Sequence, residues 1–249
     1  MSGNRFKLSV MMFLEFFIWG AWFPLIFGYL PSLGFGPWEQ SLILWTFNLA
    51  AVVALFFSTQ FADRNFAAEK FVAFSHLVGG VAILGLFWIR RADGAESAPF
   101  WPFFGLMLVH CLFYVPTISI TNSIAFANLK DPQNEFGPVR LWGTIGWIAA
   151  AWPFVFILID WNKVPALGEM PFVEWLRTAL GTGKKDTAFR EATSYTFVAA
   201  GGASLLLAAF SLSLPHMPPK PAAAAEEKLA WLEALKFLAI PYVLVLFVV

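Results

Sequence analysis

Six long apolar windows constrain this chain more than any other feature of its sequence. Each holds about 20 mostly apolar residues, the length that a helix needs to cross a bilayer. Proline, glycine and charged residues separate the windows, which lie near residues 6–30, 41–62, 69–89, 99–125, 138–160 and 193–214. Hydrophobic residues make up 59% of the chain and charged residues 13%, a composition typical of a bilayer protein. We therefore predict an all-α membrane protein.

The two ends of the chain need separate interpretation. Arg5 and Lys7 precede the first window as they would in a signal peptide, but Glu15 lies inside it and no small-residue cleavage site follows. We predict a retained first helix. After the sixth window, residues 215–228 form a linker rich in proline and alanine. Residues 229–249 begin amphipathic and become apolar, which predicts the start of a seventh helix and a chain that stops in mid-helix.

The basic residues favour an inside N-terminus only weakly, because nine of the sixteen then fall on the cytoplasmic side. Several of the others lie in one long loop, residues 161–192. Within it the sequence PFVEWLRTAL is able to form a short interfacial helix with Trp175 and Arg177 near the lipid headgroups. A solvated loop with no role in transport is the alternative that we favour.

An arginine at the start of the fifth window is the most informative polar residue. Arg140, Thr144 and Trp147 are spaced i, i+4 and i+7, which places a guanidinium, a hydroxyl and an indole on one helix face, with Gly143 beside them. This face is suited to line a polar cavity. Alternatively, Arg140 reaches back to the cytoplasmic headgroups and only marks topology. The spacing alone does not separate the two interpretations.

The fourth window carries a polar stripe. His110, Tyr114, Thr117 and Thr121 fall at i, i+4, i+7 and i+11 on an otherwise apolar helix that Pro116 is able to kink. A helix facing lipid does not carry such a stripe, so it favours a water-filled path. The alternative is a set of hydrogen bonds that only joins helices. We predict that Tyr114 and Thr117 face the same central cavity as the fifth-window residues.

Glu15 is the other deep charge, with Trp19 and Trp22 on its face of the first helix. A carboxyl that is neutral or ionised near neutral pH is suited to carry a proton, and we take Glu15 as the candidate for proton coupling. A static pair with a nearby arginine is the structural alternative. His76 in the third window is a lone histidine, which we interpret as a packing residue.

No enzyme motif is present. The sequence contains neither G-x-S-x-G nor H-E-x-x-H nor a glycine loop that cradles phosphate. Three scattered histidines and the single cysteine, Cys111, do not form a metal site, and no cofactor is indicated. Sixteen basic and sixteen acidic residues cancel, which gives no sign of nucleic-acid binding. Transport is the function class that fits.

Five segments together resemble the nucleoside:proton symporter family of the major facilitator superfamily. In chain order they are FLEFFIWGAW (13–22), FADRNFAAEK (61–70), FYVPTISITNSIAF (113–126), RLWGTIGW (140–147) and LPHMPP (214–219). The fourth and fifth segments are the specific ones. The second is a degenerate form of the superfamily loop G-x-x-x-D-R-x-G-R-R, which makes Asp63 and Arg64 its gating residues.

The resemblance implies twelve helices in two six-helix halves, each built from two inverted three-helix repeats, with alternating access to a solute bound between them. Residues 1–214 are then the N-terminal half, residues 215–228 the cytoplasmic linker, and the other half of the carrier is missing. The family motif implies that Arg140 and Thr144 contact a nucleoside and that Trp147 stacks on it. It also implies an inner-membrane location if the source is a Gram-negative bacterium.

Two other functions remain open. A major facilitator carrier for a sugar or another small polar solute would use the same indole and arginine. A membrane sensor or scaffold without transport is the alternative of another class, and the polar stripe of the fourth window argues against it.

Overall fold

The computed structural model describes residues 3–57, 66–92 and 94–219; for residues 55–57 it describes the backbone only. Seven α-helices occur in this part of the chain, in the order α1 Gly3–Ser32, α2 Pro37–Phe57, α3 Ala68–Gly85, α4 Phe100–Asn128, α5 Pro132–Ile157, α6 Phe172–Gly181 and α7 Asp186–Ser211. A 3-10 turn, Leu86–Trp88, extends α3. The gating residues Asp63 and Arg64 and the predicted seventh span at 229–249 lie outside the described residues.

Each of the six apolar windows coincides with one long helix, and the amphipathic piece at 172–181 forms α6. Two helices begin well before our predicted windows, α7 at Asp186 rather than 193 and α5 at Pro132 rather than 138. α5 begins at Pro132, before the apolar window, because Asp131 caps it by accepting a hydrogen bond from the Asn134 backbone N–H. Hydrogen bonds from Asn134 also hold the pKa of the Asp131 carboxyl below its usual value. Capping and polar first turns therefore start these helices several residues before the apolar windows that predict them.

Five of the described helices, α1, α3 with its 3-10 turn, α4, α5 and α7, are long and apolar enough to cross a membrane. The outer surface agrees with this. The side chains of Trp38, Trp45 and Trp101 are 74%, 65% and 72% exposed, respectively. Indoles so exposed are typical of a surface that meets lipid rather than water.

α1 packs closely against α5 because glycines on both helices have no side chain and let the two backbones approach each other. A Cβ on Gly146 of α5 would lie 2.1 Å from the carbonyl oxygen of Phe13, and one on Gly20 of α1 would lie 2.7 Å from the Trp147 Cα. Both distances are too short for any side chain. These glycines therefore fix α1 and α5 as one unit, which carries Glu15 and Arg140 together.

The segment after α7 returns to the start of α3. The Met217 backbone N–H donates to Glu69 Oε2 at 3.0 Å, and His216 Nδ1 lies 2.7 Å from Glu69 Oε1. The Ala68 backbone N–H donates in turn to the Met217 carbonyl at 3.1 Å. This arrangement, named here the Glu69 clasp, holds the LPHMPP segment against α3.

The loop between α5 and α7 has its own ordered structure. Ile159 pairs with Gly183 in an antiparallel bridge that closes the loop at its base. The indole of Trp175 in α6 donates to the Pro165 carbonyl at 2.9 Å. Phe172 and Val173 are largely exposed at the start of α6. The exposed apolar residues agree with an interfacial helix, whose role remains a prediction.

Candidate functional site

The predicted face of α5 is built around the Arg140 guanidinium. Its Cζ atom lies 3.7 Å from the centre of the Phe16 ring of α1, a close cation–π contact. A Cβ on Gly143 would lie 2.6 Å from an Arg140 amino nitrogen and 2.7 Å from the Phe16 ring, so glycine leaves the space that both groups occupy. No described residue accepts a hydrogen bond from Arg140 or pairs with it. A half-buried guanidinium is thus held in place with its donors available.

Thr144 and Trp147 continue this face one and two turns further along α5. The Thr144 side chain is exposed and Trp147 is half-buried. The Trp147 ring meets the Trp19 ring edge-on at 5.0 Å, and Trp19 stacks on Phe47 of α2 at 4.9 Å. Helices α1, α2 and α5 therefore form an aromatic wall beside the guanidinium. This wall and Arg140 are named here the Arg140 face.

Glu15 lies in a second, fully buried layer. Its carboxylate receives a hydrogen bond from the Thr117 hydroxyl at 2.9 Å, and its other oxygen lies 3.0 Å from Nε2 of His76. Both Glu15 and His76 are at most 1% exposed. Among the described residues the His76 imidazole is the group that forms an ion pair with Glu15 when the ring is protonated. The arginine pair that we considered as an alternative is not formed, although Arg140 lies within electrostatic range.

The polar stripe of α4 lies inside the bundle rather than on an open surface. Tyr114 donates to the backbone carbonyl of Glu15 at 2.8 Å, and Thr121 donates to the Thr117 carbonyl at 2.8 Å. His110 lies 3.0 Å from the Gly79 carbonyl of α3 and stacks on Tyr114. All are at most 1% exposed. His110, Tyr114 and Thr117 therefore make contacts between helices, which was our alternative to a water-filled path, whereas Thr121 bonds within α4.

The five residues that we expected on one surface are thus placed in two layers. Arg140, Thr144 and Trp147 lie on the Arg140 face, whereas Tyr114 and Thr117 contact Glu15 below it. The layers meet along α1, because Phe16 contacts the guanidinium and its neighbour in sequence is Glu15. A direct contact of Tyr114 or Thr117 with solute remains a prediction.

We interpreted His76 as a lone packing residue, but its ring contacts Glu15 and Ser204, and sequence reasoning missed Ser204 altogether. The Ser204 hydroxyl of α7 donates to the His76 carbonyl at 2.9 Å and lies 3.0 Å from Nδ1 of the ring. Glu15 itself could have pointed to His76, because a carboxylate buried in a membrane requires a polar partner and the apolar windows contain few polar side chains. Across the described ranges no group of three or more His, Cys, Asp or Glu residues is suited to hold a metal ion.

Known proteins resemble this chain along most of its length. A family model described as nucleoside H+ symporter matches residues 2–174 and 167–249. The protein named "Putative nucleoside transporter YegT" of Escherichia coli (strain K12) is 36% identical over 217 residues, which are 86% of this chain and 43% of that protein. Xanthosine permease of the same strain is 27% identical over 217 residues, 85% of this chain and 43% of the permease.

The fold also matches a solved structure. The crystal structure of nucleoside transporter NupG aligns with a TM-score of 0.71 and 22% identity over 99% of this chain and 53% of the transporter chain. This chain thus spans about half the length of the curated relatives it matches. Its relatives are transporters and permeases rather than enzymes, and its apolar helices make it a multi-pass membrane protein. The chain belongs to the nucleoside H+ symporter family.

Proposed function

We propose that the protein moves nucleosides together with protons by alternating access. Residues 1–214 serve as the N-terminal six-helix half, built from two inverted three-helix repeats. Residues 215–228 then link it to a second half whose first helix begins at 229. Family membership and the likeness to NupG support this proposal.

Asp63 and Arg64 are its proposed gating residues, and the bacterial relatives favour an inner-membrane location.

The observation that carries the proposal is the guanidinium of the Arg140 face. Its donors meet no acceptor among the described residues, and its plane is fixed over Phe16 at 3.7 Å. A guanidinium presents several N–H groups in a rigid fork, which suits ribose hydroxyls and base carbonyls. Thr144, exposed one turn away, supplies a hydroxyl that both donates and accepts.

The aromatic wall supplies the second element of nucleoside recognition. A purine or pyrimidine base has a flat π surface, and offset or edge-on contact with indole stabilises it beyond simple burial. Trp147 already contacts Trp19 edge-on at 5.0 Å, so its ring is held in position before solute arrives. Sugars also stack on indole, so stacking alone does not separate the two candidate substrates. The difference is the base, which a nucleoside has and a simple sugar lacks.

Proton coupling is proposed to involve Glu15, the fully buried carboxylate beneath the Arg140 face. It is tied to Thr117 and, through its backbone carbonyl, to Tyr114. Because Glu15 and Phe16 are adjacent in α1, a change of charge at the carboxylate acts close to the guanidinium. The proposed proton group and the proposed solute group thus belong to the same helix pair, α1 and α5.

Uptake into proteoliposomes tests the proposal. The full-length protein that contains this chain is reconstituted, a pH gradient is imposed, and radiolabelled uridine and adenosine are measured beside a panel of sugars. We expect nucleoside uptake driven by the gradient and strongly reduced by Arg140→Ala. Arg177→Ala, which removes an exposed arginine on α6, is the matched control and is expected to behave as wild type. Sugar uptake without nucleoside uptake would contradict the proposal.

A further inference from the structure

His76 is held at both ring nitrogens inside the membrane-spanning bundle. Nε2 lies 3.0 Å from Glu15 Oε2, and Nδ1 lies 3.0 Å from the Ser204 hydroxyl oxygen. The same hydroxyl lies 2.9 Å from the His76 carbonyl. All three residues are at most 1% exposed. This cluster joins α1, α3 and α7.

Counting donors and acceptors shows that the cluster accommodates two protonation states. Ser204 has one hydroxyl hydrogen, which it directs either to Nδ1 or to the His76 carbonyl. In the first case Nδ1 only accepts, the ring is neutral, and Nε2–H donates to the ionised Glu15. In the second case Nδ1 carries a hydrogen and donates it to the Ser204 oxygen, and the ring, which also keeps its Nε2–H, is an imidazolium. Addition of one proton at Nδ1, together with rotation of the Ser204 hydroxyl, converts the first state into the second without moving heavy atoms.

We propose that the coupled proton binds at the imidazole of His76, with Glu15 as its permanent counter-charge. This inference rests on the proton-coupled transport proposed above and assigns the change of protonation to the imidazole instead of the carboxyl. One proton adds to the Nδ1 lone pair, the Ser204 hydrogen turns to the His76 carbonyl, and the net charge of the cluster rises from minus one to zero. Release reverses each step.

The surroundings favour this exchange. A neutral imidazolium–carboxylate pair is easier to bury than a lone carboxylate, because low dielectric penalises net charge. Without the proton, the unbalanced carboxylate charge attracts Arg140, whose guanidinium lies 3.7 Å from the ring of Phe16, the residue next to Glu15. The titratable or charged groups around the cluster are Tyr114 and His110 on α4 and Arg140 on α5, whereas α7 contributes Ser204.

Coupling follows from the two charge states of the cluster. When His76 is protonated, the carboxylate charge is balanced locally, and the donors of Arg140, which stays over the Phe16 ring, are available to solute. When the proton leaves, the carboxylate again attracts the guanidinium and solute binding weakens. The order of events is therefore proton first and nucleoside second, and nucleoside affinity rises as pH falls.

Transport by the full-length protein distinguishes His76 from Glu15 as the proton-binding group. One proton per nucleoside allows about tenfold accumulation across a gradient of about one pH unit. We expect His76→Gln to lose accumulation at every pH while retaining measurable nucleoside exchange. Glu15→Gln, which leaves the imidazole without a counter-charge, is expected to retain accumulation, but only at a more acidic external pH than wild type requires. Ser75→Ala, a buried neighbour on α3, is the control and accumulates as wild type.

Two outcomes overturn the inference. One is accumulation by His76→Gln equal to that of wild type, and the other is loss of accumulation in Glu15→Gln at all pH values with retention in His76→Gln. If wild type moves no nucleoside at all, the proposed function fails instead. In that case ¹⁵N-histidine NMR between about pH 5 and pH 8 still shows whether the His76 ring takes up a proton. We expect a buried imidazolium signal that His76→Gln removes, and a neutral His76 throughout that range overturns the proposal.

Discussion

Replacing Arg140 separates the contributions of charge, planar hydrogen bonding and ring stacking on the Arg140 face. Removing the guanidinium with Arg140→Ala loses charge-assisted hydrogen bonds in a partly desolvated site, worth roughly 1.5 to 3 kcal/mol of binding free energy. That range corresponds to about ten- to over a hundredfold weaker nucleoside affinity. Arg140→Lys keeps the charge but not the fork, so we expect only partial recovery.

The 3.7 Å contact with Phe16 adds a second, separable effect. The Phe16 ring is buried, but the guanidinium is partly exposed, so we take the cation–π attraction as about 0.5–1 kcal/mol. Phe16→Leu should therefore weaken binding about two- to fivefold by freeing the guanidinium. Combined with Arg140→Lys, the Phe16→Leu effect should shrink, because an ammonium uses the ring less than the planar guanidinium does. The double-mutant cycle isolates this pairwise term.

The assay is equilibrium binding of labelled uridine to the purified full-length protein in lipid nanodiscs. Circular dichroism confirms that each variant retains its helices. Affinity that is indifferent to Arg140→Ala would refute the reasoning, because the guanidinium would then contribute nothing to solute binding. Additive effects of the two substitutions would refute only the role given to Phe16.

Two further predictions concern the scaffold. Gly146→Leu should lower the thermal unfolding temperature sharply, because a Cβ there would lie 2.1 Å from the Phe13 carbonyl oxygen, whereas Gly105→Leu, with no atom within 4 Å, should not. Equal melting curves would contradict the tight α1–α5 contact. Glu69→Gln should loosen the Glu69 clasp and speed limited proteolysis next to His216, since it weakens the charge-assisted contact of 2.7 Å. Unchanged cleavage would mean that backbone hydrogen bonds alone hold the segment.

Periodicity and length predicted the helices well, because the membrane imposes both. The six windows and the amphipathic piece at 172–181 all became helices. Helix ends were harder to predict, since capping by Asp131 depends on local hydrogen bonds rather than on apolar length. The spacing of Arg140, Thr144 and Trp147 also placed them correctly on one helix face.

The sequence could not predict which faces meet inside the bundle. Tyr114 and Thr117 form a polar stripe whether they line a cavity or bond to another helix, and only the packing of α4 against α1 and α3 decided this. His76 illustrates the same limit. Its contact with Glu15 joins residues 61 positions apart, and nothing in the local sequence of α3 indicates it. Long-range pairing of buried polar groups is a property of tertiary structure.

Protection of an engineered thiol tests directly whether nucleosides bind at the Arg140 face. Thr144 is exposed and similar in size to cysteine, and the chain's own cysteine, Cys111, is fully buried and should stay silent. Thr144→Cys in the full-length protein is labelled with a membrane-permeant maleimide, with and without saturating uridine, and with glucose as the control solute. The account predicts that uridine slows labelling at least several-fold and that glucose does not. Equal labelling rates in a variant that still takes up uridine would contradict it.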